Sequence, residues 1–399
     1  MTDQITKGYV EQGFEKVKAV FEENFEKRGE LGASCCVFYQ GKKVVDLWGG
    51  IRNHKTGEPW EEDTLSIVFS TTKGVSSMAV AHAHSRGFFQ YDDKVSKYWA
   101  AFAENGKEDI TIRQVLSHQA GLPAIDEPLG LEELGNPDAL AAAIGKQKPA
   151  WKPGEKHGYH GISLGWYESE IIRRTDPKKR TIGQYFQDEI ATPLGLDFYI
   201  GLPDDFPRSR LAQIKGYKPW QMLFHLNKLP LGFVKNFLNP KSLTARSFSN
   251  PAILGVTGNY NMPELQSIEI AAANGIGNAR SVAKAYSEFA TGGKILGLKQ
   301  ETLDALEGTA TAPTDGRMDE VLRLETSFSL GYLKPFPELQ FGTNNRAYGT
   351  PGAGGSFGFA DPEAGLGFAY VMNKCGFYLW DDPREKALRD AVYECIKTL

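Results

Sequence analysis

Ser70 and Lys73 stand three residues apart in FSTTKG (69–74), where a short apolar run, LSIVF, gives way to a helical pattern. Positions i and i+3 share a helix face. A serine at a helix start has unbonded backbone N–H groups and the positive end of the dipole beside it, and both favour an oxyanion. A lysine near that positive end and taken out of water releases its proton more easily and can act as a base. The pair is suited to acyl transfer through a serine nucleophile. It is equally compatible with a helix cap followed by a solvated lysine, because Ser-x-x-Lys carries little information. The chain repeats the spacing in SVAK, Ser281 to Lys284, with nothing catalytic around it. Spacing alone does not decide.

Two further stretches have chemical potential. In WKPGEKHGYHGISLGW (151–166), a W-x-P-G turn precedes Tyr159, which can present its hydroxyl to a cleft or pack as a core tyrosine with a wet tip. In YGTPGAGGSFGF (348–359), closely spaced glycines let a backbone pass near another group. GGSFG (354–358) matches the G-x-S-x-G elbow, but that motif needs a histidine further along the chain, and the last histidine is His225. His157 and His160 lack a third ligand at metal-binding spacing. His118, in LSHQAGL, reads as a packed, hydrogen-bonded residue.

The 399 residues suffice for one large domain or two sharing a core. A net charge of −4 gives no reason to expect nucleic acid or an anionic membrane as partner. The four cysteines have no metal or CxxC spacing, and adjacent Cys35 and Cys36 point to opposite faces of a strand, so free buried thiols are expected. The charged N-terminal stretch lacks an export signal, and no apolar run approaches a membrane span. A cytoplasmic location is the resulting expectation.

The elements that must position these residues can be outlined. Val10, Phe14, Val17, Phe21 and Phe25 recur at helical spacing and predict an amphipathic first helix. Runs 33–39 and 43–48 around QGKK predict a hairpin. Residues 71–86 predict the helix that carries Ser70 and Lys73. Helices are also expected in TIRQVLSHQAGLP (111–123), ESEIIRRT and TIGQYFQDEIATPLGL, and residues 203–263, with Trp220, Phe224 and Phe237 among prolines, read as an irregular lid or substrate-facing insertion. Strands are expected in SFSLGYLKP and across 346–374, before a last helix capped by Asp382 with Pro383 in its first turn. The pattern predicts an α/β chain of the α+β type: an antiparallel sheet flanked by helices, built from residues 1–86 and 281–399, with a mostly helical insertion over 87–280.

In this order, Ser70-x-x-Lys73, Tyr159 after W-x-P-G and a late Gly-rich strand resemble the serine β-lactamase/penicillin-binding-protein superfamily. The likeness is to class C β-lactamases and family VIII carboxylesterases in particular. DLWGG (46–50), LSHQAGLP and GTPGAGGSFGFADPEAGLGFAYVMN share it, so that it spans roughly residues 30–395. The resemblance implies that Ser70 accepts the acyl group, that Lys73 helps deprotonate it and that Tyr159, activated by lysine charge, shuttles a proton to the leaving group. It implies an oxyanion hole from the N–H groups of Ser70 and Ala353, and a substrate contact near His160, Thr350 and Gly352. It implies the β-lactamase/DD-peptidase fold with the site between its two parts, a small-molecule ester as substrate, no metal or cofactor, and the possibility of a homo-oligomer. Two departures stand out. The second motif reads Tyr159-His160-Gly161 where lactamases have Tyr-x-Asn or Tyr-x-Ser. The third reads Thr350-Pro351-Gly352, without the lysine that pairs with an antibiotic carboxylate. Both favour a neutral ester. The alternatives are a β-lactamase or D-amino-acid peptidase, or a catalytically weak scaffold.

Overall fold

The computed structural model describes residues 6–217, 221 and 224–399. Trp220 lies outside the described residues. The two ends of the chain build one antiparallel sheet. Thr6–Val10 (β1), Gly32–Tyr39 (β2), Lys42–Asn53 (β3) and Glu58–Pro59 (β4) come from the N-terminal part; Tyr348–Pro351 (β8), Phe357–Asp361 (β9) and Leu366–Met372 (β10) come from the C-terminal part. The order is β1-β3-β2-β10-β9-β8, with β4 beside β3. The central pair, β2 with β10, joins the ends in register from Tyr39↔Leu366 to Ala33↔Met372. A small antiparallel sheet, β5 (Ser66–Ile67), β7 (Ile276–Gly277) and β6 (Phe198–Tyr199), lies where the chain enters and leaves the intervening segment.

Helices cover both faces. The helix Glu15–Lys27 (α1) packs with the final helix Pro383–Ile396 (α5), and Tyr393 of α5 stacks on Phe359 of β9. Asp382 caps α5 by accepting from the Arg384 N–H, and Pro383 takes its first turn. On the other face lie Thr71–Ser85 (α2) and Ala279–Ala290 (α4), and Ser163–Thr175 (α3) packs against α2. Cys35 sits near Glu385 of α5 and Cys36 near Arg280 of α4, on opposite faces of β2. All four thiols are free and buried. Every residue of α2 is buried, so it runs through the middle of the molecule.

Several elements differ from the sequence reading. The first helix starts only at Glu15. Residues 6–10 form an edge strand instead, because Gly8 and Gly13 adopt φ of +118° and +94° and break the helix. The helix expected over 111–123 is confined to Ile112–Leu116, capped by Thr111, and ends where His118 turns to φ +62°. SFSLGYLKP makes only isolated bridges, Phe328↔Leu333 and Leu333↔Gly349, around a turn at Gly331. SVAK falls inside α4: Asn278 caps the helix by accepting from the Ser281 N–H, and Ser281 Oγ accepts from the Asp197 N–H. Its serine is structural.

Candidate active site

α2 begins at a strained corner. Phe69 has φ of +47°, a region an aromatic residue rarely adopts, and its ring meets Tyr260 edge-on with centroids 5.1 Å apart. The corner delivers Ser70, half-buried, to the position just before the helix. The Gly-rich strand region closes from the other side. Ser356 Oγ donates to Val68 O at 2.7 Å and meets Thr71 Oγ1 at 3.1 Å, so the G-x-S-x-G serine is a tie beneath the corner. Gly352 permits this approach, since a Cβ there would lie 2.3 Å from Val68 O.

Lys73 is fully buried. Its Nζ donates to Gly161 O at 2.6 Å and Ala272 O at 2.9 Å, and lies 3.1 Å from Ser70 Oγ. It forms no ion pair with a described carboxylate. Loss of water lowers its pKa from the usual lysine range to about 7, with the charge of Glu168 acting in the opposite sense. As a neutral amine, Lys73 satisfies the two carbonyls with its two protons and turns its lone pair to Ser70.

Tyr159 comes to the same place from the 151–161 turn, and Lys73 Nζ lies 4.9 Å from its ring centroid. Burial pushes its hydroxyl well above the ordinary tyrosine range, and Ser70 offsets only part of that. The activation by lysine charge that the resemblance implies is opposed here by desolvation, which favours the phenol. Two residues invisible at the level of motif hold its backbone. Buried Asp319 accepts from the Tyr159 N–H at 3.1 and 3.0 Å, and also from the N–H groups of Val321 and Leu322. Ser247 Oγ accepts from the Gly161 N–H at 3.0 Å and donates to Tyr159 O at 3.1 Å. Both lie far along the chain from Tyr159, and no local spacing announces them.

Ser70, Tyr159 and Ala353 line one cavity of about 290 Å³. The backbone N–H groups of Ser70 and Ala353 have no acceptor among the described residues, as two donors for an oxyanion require. The remaining walls are strongly apolar, with Phe69, Phe233, Phe237, Phe248, Leu254 and Trp380 among the rings and branches that line them. No described lining residue is charged. Part of the 203–263 stretch thus faces this cavity. His160 and Thr350 do not line it. His160 is wholly buried, its Nδ1 donates to Gly158 O at 2.7 Å, and its ring packs on His118; the Nδ1 of His118 accepts from the His160 N–H. Thr350 alternates with Pro351 along β8, so Pro351 meets the cavity while Thr350 turns inward beside Gly74. Gly352 is likewise buried beneath the corner rather than on the cavity wall.

The family model described as Beta-lactamase matches residues 17–391. The chain belongs to the Beta-lactamase family. Over 376 residues it is 31% identical to the esterase/beta-lactamase LipL of Mycobacterium tuberculosis, an overlap covering 92% of this chain and 82% of LipL. Its structure is similar to that of a family VIII carboxylesterase, with 32% identity, a TM-score of 0.84 and coverage of 98% of this chain and 99% of the other. It is also similar to a penicillin-binding protein homolog from Caulobacter crescentus, with 34% identity, a TM-score of 0.85 and coverage of 99% and 100%. The β-lactamase/penicillin-binding-protein fold read from the sequence is therefore the fold of this chain, and this member of the Beta-lactamase family is a serine hydrolase. Among the described residues no helix is long and apolar enough to cross a membrane.

Proposed function

We propose that the protein is a carboxylesterase that acts on small neutral esters with an apolar acyl or alcohol part, through an acyl-enzyme on Ser70. The observation that carries this reading is the position of Lys73 Nζ, 3.1 Å from Ser70 Oγ beside a cavity with no charged lining residue among those described. A β-lactam with its carboxylate would find no lysine in that wall, and Thr350 is buried away from it. The nearby cation Lys228 lies over the ring of Tyr378, 4.8 Å from its centroid, rather than in the lining.

The steps follow from the geometry. Lys73 takes the Ser70 proton, and Oγ forms a bond to the ester carbonyl carbon. The carbonyl oxygen becomes an oxyanion between the N–H groups of Ser70 and Ala353. Collapse breaks the C–O bond to the alcohol. The departing oxygen takes the phenolic proton of Tyr159, which the Lys73 ammonium replaces. Water then attacks the acyl-enzyme by the same route reversed and releases the acid. A fluorophosphonate probe should label Ser70, and p-nitrophenyl butyrate should be turned over; Ser70→Ala should abolish both. Folded wild-type protein that shows neither would overturn the reading.

A second activity has one supporting observation. LipL is named for both esterase and β-lactamase activity, which favours slow lactam turnover at the same serine. A nitrocefin rate well below the ester rate, and lost in Ser70→Ala, is the expected result.

A further inference from the structure

One turn along α2 from Lys73, on the same face of the helix, a carboxyl group sits where the steps above make no use of it. Glu168 of α3 is completely buried and has no ion pair with a described residue. Ser77 Oγ donates to one of its oxygens at 2.6 Å, and Ser76 Oγ lies 2.7 Å from the other. Ser76 Oγ is also 2.8 Å from Ala271 O and 3.0 Å from Lys73 O. A hydroxyl has one proton to give. If Glu168 is a carboxylate, Ser76 faces three acceptors and its one proton leaves either the carboxylate oxygen or the buried Ala271 carbonyl without a donor among the described residues. If Glu168 carries a proton, the chain closes: Glu168 donates to Ser76, Ser76 donates to Ala271 O, and Ser77 donates to Glu168. Ala271 adjoins Ala272, whose carbonyl holds Lys73 Nζ. The cluster is sealed by Gly331, where a Cβ would fall 1.9 Å from Ser77 Oγ.

We propose that Glu168 is a positioning residue for the Ser70 reaction: the active enzyme holds a proton on Glu168, which completes the Ser76–Ala271 chain and leaves Lys73 an uncharged base. The proposal rests on the Ser70–Lys73 reading above. The same protein with the proton moved, Glu168 ionised and Lys73 an ammonium, has equal net charge and no free lone pair facing Ser70. Burial supports the first form. It pushes Glu168 up to about 7 even against the Ser76 and Ser77 hydroxyls and the Lys73 charge, and a neutral Lys73 removes that last restraint. The other titratable groups facing the pair are Tyr332 and Tyr286 across α2, and Tyr159, His118 and His160 beyond Lys73. Burial favours the neutral form in each of these tyrosines and in both histidines.

The test is the pH profile of kcat/KM for p-nitrophenyl acetate. In the wild type it should be bell-shaped, with Lys73 on the acid limb and Glu168 on the basic limb. Glu168→Gln keeps a donor for Ser76 and an acceptor for Ser77 but cannot ionise. It should retain the acid limb and lose the basic one, keeping about tenfold more of its peak rate one unit above the midpoint of the wild-type basic limb. Ser77→Ala, a small change that removes a donor favouring the carboxylate, should move the basic limb to higher pH. A basic limb that survives in Glu168→Gln, a wild type without one, or a limb unmoved in Ser77→Ala would overturn the proposal. So would an acid limb displaced to lower pH by about half a unit or more in Glu168→Gln, because that marks a working carboxylate. Ester turnover that persists in Ser70→Ala would instead bring down the acyl-enzyme reading, and the two failures are separable.

Discussion

Lys73 Nζ lies 3.1 Å from Ser70 Oγ, and its only other polar partners among the described residues are two main-chain carbonyls. A lysine held by carbonyls, with no carboxylate in contact among the described residues, has little to keep it charged against desolvation. That sets the sign of the first prediction. The working form is the free amine, so kcat/KM should fall on acidification below about pH 7, tenfold per unit, as Lys73 gains its proton. Lys73→Ala should lower kcat/KM by about 10²–10⁴-fold and abolish that limb. Stopped-flow or steady-state profiles with a neutral ester would show it, and a limb retained in the alanine variant would assign it elsewhere.

Tyr159→Phe should separate leaving groups. Burial favours the phenol form of Tyr159, which in the proposed mechanism is the donor to the departing alkoxide. Aryl esters, whose leaving groups need little protonation, should lose about tenfold in kcat, and alkyl esters about 10²-fold or more. Equal losses on both would remove Tyr159 from the leaving-group step.

The apolar wall should set acyl or alcohol preference. Phe248→Ala opens the cavity beside Tyr159. Its kcat/KM for bulky apolar esters should fall by about tenfold, about 1.4 kcal/mol, while acetate esters change little. Profiling with esters of graded length reads this directly; a uniform loss would point to general damage.

Asp319→Asn should affect Tyr159 through its backbone. The carboxylate accepts from three N–H groups, and an amide nitrogen in its place presents a donor to donors. A loss of about 2–3 kcal/mol in stability is expected by thermal or denaturant unfolding, with kcat falling more than KM rises. Unchanged stability would mean that the asparagine oxygen alone suffices.

How legible the molecule was depends on how local each signal is. The α2 helix, the β2–β3 hairpin, the three late strands and the Asp382 cap follow from periodicity and capping residues that act within a few positions. β1 was missed because an edge strand rich in polar residues has no buried face to mark it, and the Val10–Phe25 periodicity extended across two glycines. The Ser-x-x-Lys pattern occurs twice, at 70–73 and 281–284, and only the order of the companion motifs told them apart.

What the sequence determined by itself was the set of chemical groups: a serine and a lysine one turn apart, a tyrosine after a rigid turn, and a glycine-rich strand, in an order that indicates the family. What only the tertiary structure decided was their state and surroundings. Burial by segments distant in sequence lowers the pKa of Lys73 to about 7 and favours the phenol form of Tyr159. Strand alternation turns Thr350 inward, and close packing on His118 does the same to His160. Asp319, Ser247 and Glu168 join the site through hydrogen bonds spanning some 86 to 160 positions. Such contacts depend on solvent exclusion and three-dimensional proximity, and neither is a property of neighbouring residues.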